Sequence, residues 1–462
     1  MKKDIQTFSH RVFRDDEFWK EIPAWKDVSR EQFADHKWQS KNSILKLKHV
    51  EEVLGKRVSK EFLADMEEGL RRTPMNVRIT PYVFSLMDWD DPENDPLRMQ
   101  FLPLGSQFLV DHPFHMEDSL HEDVDSPVPL LTHRYKDKVL FLPLTTCPVY
   151  CSYCTRSRII GGSTDTIEKD TYGANAKKWD VVFEYLKNNP AIEDVVISGG
   201  DSFNLPAKHI KHIGESLLNI PNIRRIRYAT KGIAILPMKI LTDDDWVKAL
   251  VDVERHGRAL GKQVVIHTHF SSPNEITSWS KEAMNRLYSE GILVRNQAVL
   301  QSGVNNSPEI MSLLTKKLSY INIQPYYVYM HDMVPGCERF RTTLYEGMQI
   351  EKAIRGITAG FNTPRFVCDV PGGGGKRQIS SYEYYDKENG ISVWTAPEVK
   401  PGEVFVYLDP IHKLADYAQK RWANEKIRKA MIRDAIRQIG PELEDMNLAT
   451  IEKRFGIKFK AV

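Results

Sequence analysis

Three of the chain's five cysteines fall within eight positions, in TTCPVYCSYCTRSR, as Cys147, Cys151 and Cys154. A trio spaced C-x3-C-x2-C suits metal chemistry, but it cannot close a tetrahedral structural zinc site, which takes four ligands. Cys337 or Cys368 would have to supply the fourth. The alternative is a [4Fe–4S] cluster. An electron carrier of that kind gives each iron one thiolate, so three cysteines leave one iron open to a small molecule. Five cysteines in 462 residues, an odd and small number, suit a reducing compartment better than a disulfide framework. Cys337 and Cys368 then read as plain buried thiols.

The second segment with chemical potential is FVCDVPGGGGKRQ, residues 366–378. It is not a nucleotide phosphate loop, because G-x4-G-K-[ST] would need glycine where Val370 stands and serine or threonine where Arg377 stands. Four glycines between an apolar, strand-like run and Lys376 instead let the backbone approach something closely. A lysine in such a pocket sheds its proton readily and can form a Schiff base, the usual attachment of pyridoxal phosphate. Ser198-Gly199-Gly200-Asp201, taken alone, reads as a turn.

From Val139 onward, short β-branched runs alternate with amphipathic stretches of helical period, and these elements must position the chemistry. The runs are KVLFLPLTT, EDVVISGG, IRRIRYAT, KQVVIHTHF, ILVRNQAVL and INIQPYYVYM. Between them lie KKWDVVFEYLKNN, LTDDDWVKALVDVERHG with Thr242 as N-cap, and ITSWSKEAMNRLYSEG ending in Gly291. Six strands apolar enough to be covered on both faces predict right-handed crossovers and a parallel sheet, as a six-unit open barrel or a doubly wound sheet. The barrel is favoured because Cys147, the SGGD turn, Gln297 and Asp332 fall late in, or just after, successive strands, where barrel active sites converge. The expected organisation is an N-terminal helical extension (1–130), a partial (β/α)6 TIM-like α/β barrel (131–380) and a mainly helical C-terminal extension (381–462). Within the last, ISVWTAP and EVFVYL read as short strands and a charged helical tail starts at Ile411.

The cysteine trio, with Tyr153 just before its third member, resembles the radical S-adenosylmethionine superfamily. Joined to P-G-G-G-G-K, it resembles the lysine 2,3-aminomutase family. The likeness runs from FWKEIPAWKDVSREQFADHKWQSKNSI through DSPVPLLTHRYKDKVLFL, HTHFSSPNEIT and RNQAVLQSGVNN to the glycine run. The resemblance implies a radical S-adenosylmethionine barrel with Cys147, Cys151 and Cys154 on a [4Fe–4S] cluster. S-adenosyl-L-methionine would lie on the open iron, and pyridoxal 5′-phosphate would be carried by Lys376. It places Ser198, Gly199, Gly200, Asp201 and Gln297 by S-adenosylmethionine, and Arg134 and Tyr135 by pyridoxal phosphate. The chemistry needs both cofactors. Moving an amino group from Cα to Cβ means breaking an unactivated C–H bond, which no general base can do, and an imine gives the migrating nitrogen a path.

The resemblance also assigns the substrate ends. Arg156 matches the family's carboxylate-binding arginine, a residue type suited to that task. Asp332 and Asp369 match the two aspartates that hold a lysine ε-ammonium, and two desolvated carboxylates require a cation between them. L-Lysine to β-lysine is the expected isomerisation. Arginine or another basic amino acid is the alternative, as is a non-catalytic iron–sulfur protein in which Lys376 is an ordinary loop residue. Two departures stand out. Ser152 replaces a basic residue found after the second cysteine in the lysine enzymes. Ser307 replaces a cysteine that binds an intersubunit zinc in some members, and no cysteine follows Lys376, so no zinc is expected.

Lysine plus arginine (64) nearly balances aspartate plus glutamate (62), which gives no reason to expect a nucleic acid or an anionic membrane as partner. With no apolar leader run, a cytoplasmic homo-oligomer is expected, served by an electron donor such as flavodoxin or ferredoxin.

Overall fold

The computed structural model describes residues 9–440 and Thr450. The far end of the expected C-terminal extension therefore lies outside the described residues. The centre is a nine-stranded sheet in the order β1 to β9. Its strands are β1 (Leu131–Tyr135), β2 (Lys138–Phe141), β3 (Asp194–Ile197), β4 (Arg225–Thr230), β5 (Gln263–Thr268), β6 (Leu293–Val299), β7 (Ile323–Tyr329), β8 (Arg365–Val370) and β9 (Gly375–Gln378). β2 to β8 run parallel, while β1 and β9 add antiparallel at the two edges. All six predicted strands are present, and the run before the glycines supplies a seventh parallel one.

The register explains the burial. Phe141, Ile197, Tyr228, Ile266, Val294 and Ile323 form one row across six neighbouring strands, and all are buried. Successive side chains of a strand point to opposite faces, and this row points at the helix layer. Phe141 meets Trp179 and Phe183 there, and the Tyr228 hydroxyl donates to the Ile210 carbonyl at 2.8 Å. The opposite face carries Val196, Arg227, Ala229 and His267, which line an interior cavity. The strands are thus apolar outward and mixed inward, because the lumen holds a site.

The long helix between β4 and β5 spans Asp244–Ala259 and is capped by Asp243, whose carboxylate accepts from the Trp246 amide at 3.1 Å. Thr242, the expected cap, ends the preceding short helix, and its hydroxyl donates back to the Met238 carbonyl. An aspartate one residue later offers the stronger acceptor to the helix start.

The N-terminal extension is built of short helices, among them Lys60–Arg72 and Pro96–Phe101, around an aromatic core. Trp19 stacks on Phe33 with ring centres 4.2 Å apart and meets Trp279 of the barrel edge-on. The described part of the C-terminal extension holds the two expected strands as well as helices. A three-stranded antiparallel sheet, β10 (Tyr384–Asp386), β11 (Ile391–Ala396) and β12 (Lys400–Leu408), precedes helices Asp416–Ala423 and Glu425–Arg437. Among the described residues no helix is long and apolar enough to cross a membrane.

Candidate active site

One cavity of about 640 Å³ occupies the lumen, and its lining includes every expected site residue. Cys147, Cys151 and Cys154 sit on the irregular loop after β2. The N-terminal extension grips that loop through its backbone: the Tyr150 amide donates to the Arg78 carbonyl at 2.9 Å and the Ser152 amide to the Gln100 carbonyl at 2.8 Å. Tyr153 bonds the Gln100 amide oxygen at 3.1 Å and His269 Nε2 at 2.8 Å, which ties the loop to the end of β5.

The SGGD turn lies against the same loop. The Gly200 amide donates to the Leu144 carbonyl at 2.7 Å and the Asp201 amide to the Thr146 carbonyl at 3.0 Å. A Cβ at Gly199, whose φ is +93°, would stand 2.3 Å from the Leu144 oxygen, and one at Gly200 would stand 2.3 Å from the Thr146 oxygen. The glycines thus let this turn touch the strand of backbone that leads into Cys147. Asp201 spends both carboxylate oxygens on backbone amides, those of Phe203 and Lys231, each at 2.8 Å.

The three thiols fit a cluster better than one ion. Among the described residues no three His, Cys, Asp or Glu side chains converge on a single-ion position, whereas cluster thiolates bind separate irons. Burial pushes all three thiols up, Cys151 to about 12. A bound metal centre deprotonates the thiols that ligate it. Cys337 and Cys368 are fully buried and do not line the cavity.

The other end of the site bridges the open seam of the barrel, where edge strands β1 and β9 face each other. The Tyr135 hydroxyl of β1 accepts from the Lys376 backbone amide of β9 at 2.9 Å. A Cβ at Gly375 would lie 2.8 Å from that hydroxyl. Lys376 Nζ donates to Asp369 Oδ2 at 2.8 Å, from the neighbouring strand β8. Burial works against the Lys376 charge, but Asp369, with Tyr135 and Tyr329, holds its ammonium well above the usual lysine range. Asp369 Oδ1 is buried with no hydrogen-bond partner among the described residues, and the Arg134 guanidinium stands 4.0 Å from it. Arg134 itself donates to Asp125 Oδ2 at 2.8 Å and to the Leu120 carbonyl. The pocket around Lys376 thus offers an amine, an aromatic wall, a buried guanidinium and an orphaned carboxylate oxygen, a donor set that fits pyridoxal phosphate.

Between the two ends lie the expected substrate residues. Asp332, just past β7, accepts a short hydrogen bond from the Thr155 hydroxyl and makes no ion pair among the described residues. Burial, with Asp369 nearby, pushes its carboxyl up to about 7. Arg156 is held side-on by Glu122, through Nε at 2.9 Å and Nη2 at 2.7 Å. Glu122 is 5% exposed. Burial opposes its charge, yet Arg156 and Arg158 bring its carboxyl down to about 2. Gln297 joins the halves, with its side-chain amide on His267 Nδ1 at 2.6 Å and its oxygen accepting from the Tyr329 hydroxyl at 3.2 Å. Glu122, Asp125, Thr155, His267 and His269 were not singled out by sequence reasoning. The sequence signals for the two acids were the cluster of carboxylates in HMEDSLHEDVDS and, for Asp125, its place at the head of DSPVPLLTHRYKDKVLFL.

No family model matches the chain. Similar proteins are L-lysine 2,3-aminomutase of Bacillus subtilis, 38% identical over 78% of this chain and 71% of that protein, and that of Clostridium subterminale, 37% identical over 77% and 80%. Glutamate 2,3-aminomutase of Clostridioides difficile is 30% identical over 76% and 78%. Among solved structures, a radical SAM methyltransferase from Sphaerobacter thermophilus overlaps 55% of this chain and 70% of that one with a TM-score of 0.33 and 15% identity, a level that carries no weight here.

Proposed function

Since this chain belongs to the lysine 2,3-aminomutase family, we propose that it moves the α-amino group of L-lysine to Cβ, giving β-lysine, with a [4Fe–4S] cluster, S-adenosylmethionine and pyridoxal phosphate. Membership makes it an aminomutase, an isomerase, acting on a small molecule. It leaves the amino acid open, because the glutamate enzyme is also similar.

The observation that carries the choice of lysine is Asp332. Of the carboxylates near it, Glu122 faces Arg156, Asp125 faces Arg134 and Asp369 faces Lys376, while the buried Asp201 is satisfied by two backbone amides. Among the described residues Asp332 pairs with no cation and accepts from the Thr155 hydroxyl. A lone desolvated carboxylate is costly and is relieved by a cation brought in from outside. A substrate with a positively charged tail meets that demand, and a glutamate side chain would worsen it.

In this reading Cys147, Cys151 and Cys154 would hold the cluster, and Lys376 would hold pyridoxal phosphate, with Arg134 and Tyr135 beside it. When bound, these groups supply hydrogen abstraction from an unactivated carbon and a conjugated partner for the migrating nitrogen. The protein's own work is to bind, orient and exclude water. Arg156 presents its free Nη1 to the α-carboxylate. Asp332 and the orphaned Asp369 Oδ1 take the distal ammonium, so the substrate is stretched between two fixed charges with Cα and Cβ held in the cavity between them. In the free chain the Lys376 ammonium occupies Asp369 and stands in for that cation. The Tyr135–Lys376 contact ties the two edge strands together across the seam.

The test is to incubate reconstituted, reduced protein with S-adenosylmethionine and lysine, arginine, glutamate or alanine in turn, and to resolve β-amino isomers by chromatography with mass detection. Lysine is expected to react. Turnover of arginine alone would overturn the substrate, and failure to cleave S-adenosylmethionine with any of them would overturn the function.

A further inference from the structure

The Arg156–Glu122 pair poses a physical question: why bury a carboxylate against the arginine that has to receive another carboxylate? A guanidinium carries five N–H donors in a rigid plane. Glu122 takes the side-on edge, Nε and Nη2, and leaves Nη1 without an acceptor among the described residues, on a side chain that lines the cavity. The end-on edge, Nη1 and the second proton of Nη2, is therefore held open and its plane is set. Arg158 Nη1 stands 3.7 Å from the same Glu122 carboxylate, so two guanidiniums share one anion. Arg158 also meets Asp118 at 3.4 Å and the largely exposed Asp123 at 2.8 Å. An arginine on a long, rotamer-rich stem, left unbraced, could instead swing towards Asp332, whose field it already feels.

We infer that Glu122 is a positioning residue for the α-carboxylate end of the substrate: it fixes the plane of Arg156 so that the end-on edge faces the cavity, and it keeps Arg156 from pairing with Asp332. This rests on the reading that Arg156 receives the carboxylate. It also separates the two ends of the substrate site electrostatically, leaving Asp332 free for a cation.

The test compares equilibrium binding of two ligands to unreduced holoenzyme, which binds without turnover. The ligands are L-lysine and 1,5-diaminopentane, which keeps the distal ammonium and lacks the carboxylate. Glu122→Gln is expected to weaken lysine about 10-fold to 100-fold, the worth of a charged fork, and to leave the diamine within about twofold. In steady state the same change raises KM more than it lowers kcat. Glu122→Asp retains the charge on a shorter stem and is expected to fall between, which keeps the test usable should the glutamine variant fold poorly. Equal weakening of both ligands, or of neither, overturns the inference, since a merely structural role would not tell them apart. If Arg156→Ala binds lysine as the unmodified protein does, the reading of Arg156 fails and the inference falls with it.

Discussion

Replacing Asp332 with asparagine should make the free protein more stable and the enzyme much worse. The carboxyl is pushed from 3.8 to about 7, first by burial and then by the Asp369 charge. A carboxyl raised in the folded state binds its proton more tightly there than in the unfolded chain. Its ionisation therefore removes stability as pH rises from about 4 to about 7, and the loss is complete above that. At roughly 1.4 kcal/mol per pKa unit the ceiling is about 4 kcal/mol, and water in the cavity lowers the realised figure to about 1–3 kcal/mol. Denaturant unfolding of ligand-free protein at about pH 5 and about pH 8 should show the asparagine variant pulling ahead of the parent as pH rises. Catalysis moves the other way. Losing one partner of a buried charge pair costs about 2–4 kcal/mol, roughly 30-fold to 1,000-fold in kcat/KM for lysine. Saturating lysine should then stabilise the parent and barely affect the variant. A variant less stable than the parent at about pH 8, or one that turns over lysine within about threefold of it, would refute the claim that Asp332 awaits a cation.

Three further outcomes follow from the geometry. Lys376→Ala should abolish the visible absorbance of bound pyridoxal phosphate, a band that borohydride bleaches in the parent, while iron content stays unchanged. Serine in place of Cys147, Cys151 or Cys154 should each drop iron and labile sulfide below about half of the parent value after anaerobic reconstitution, because every thiolate serves a different iron. Gly200→Ala forces a methyl to 2.3 Å from the Thr146 oxygen. It should destabilise the folded chain by about 1–3 kcal/mol and disturb the cluster spectrum as the Cys147 loop shifts.

The legible part of this protein is what contiguous residues do together. Cysteine spacing, a glycine-lined lysine and β-branched runs at regular intervals each express chemistry or backbone preference within about ten residues, so the barrel, the cluster loop and the Lys376 pocket can be read from the chain alone. The runs ISVWTAP and EVFVYL were legible as strands and became β11 and β12, whereas the short edge strands β9 and β10 carry no apolar run that would mark them. Several features needed the folded chain. Thr155 meets Asp332 across 177 positions, and the Lys376 amide meets Tyr135 across 241. The capture of Arg156 by Glu122, and the solitude of Asp332, arise because sheet closure brings distant charges into a desolvated space where each must find a partner or go without. Coulomb pairing depends on separation in space and on the local dielectric, and neither is written in the spacing of letters.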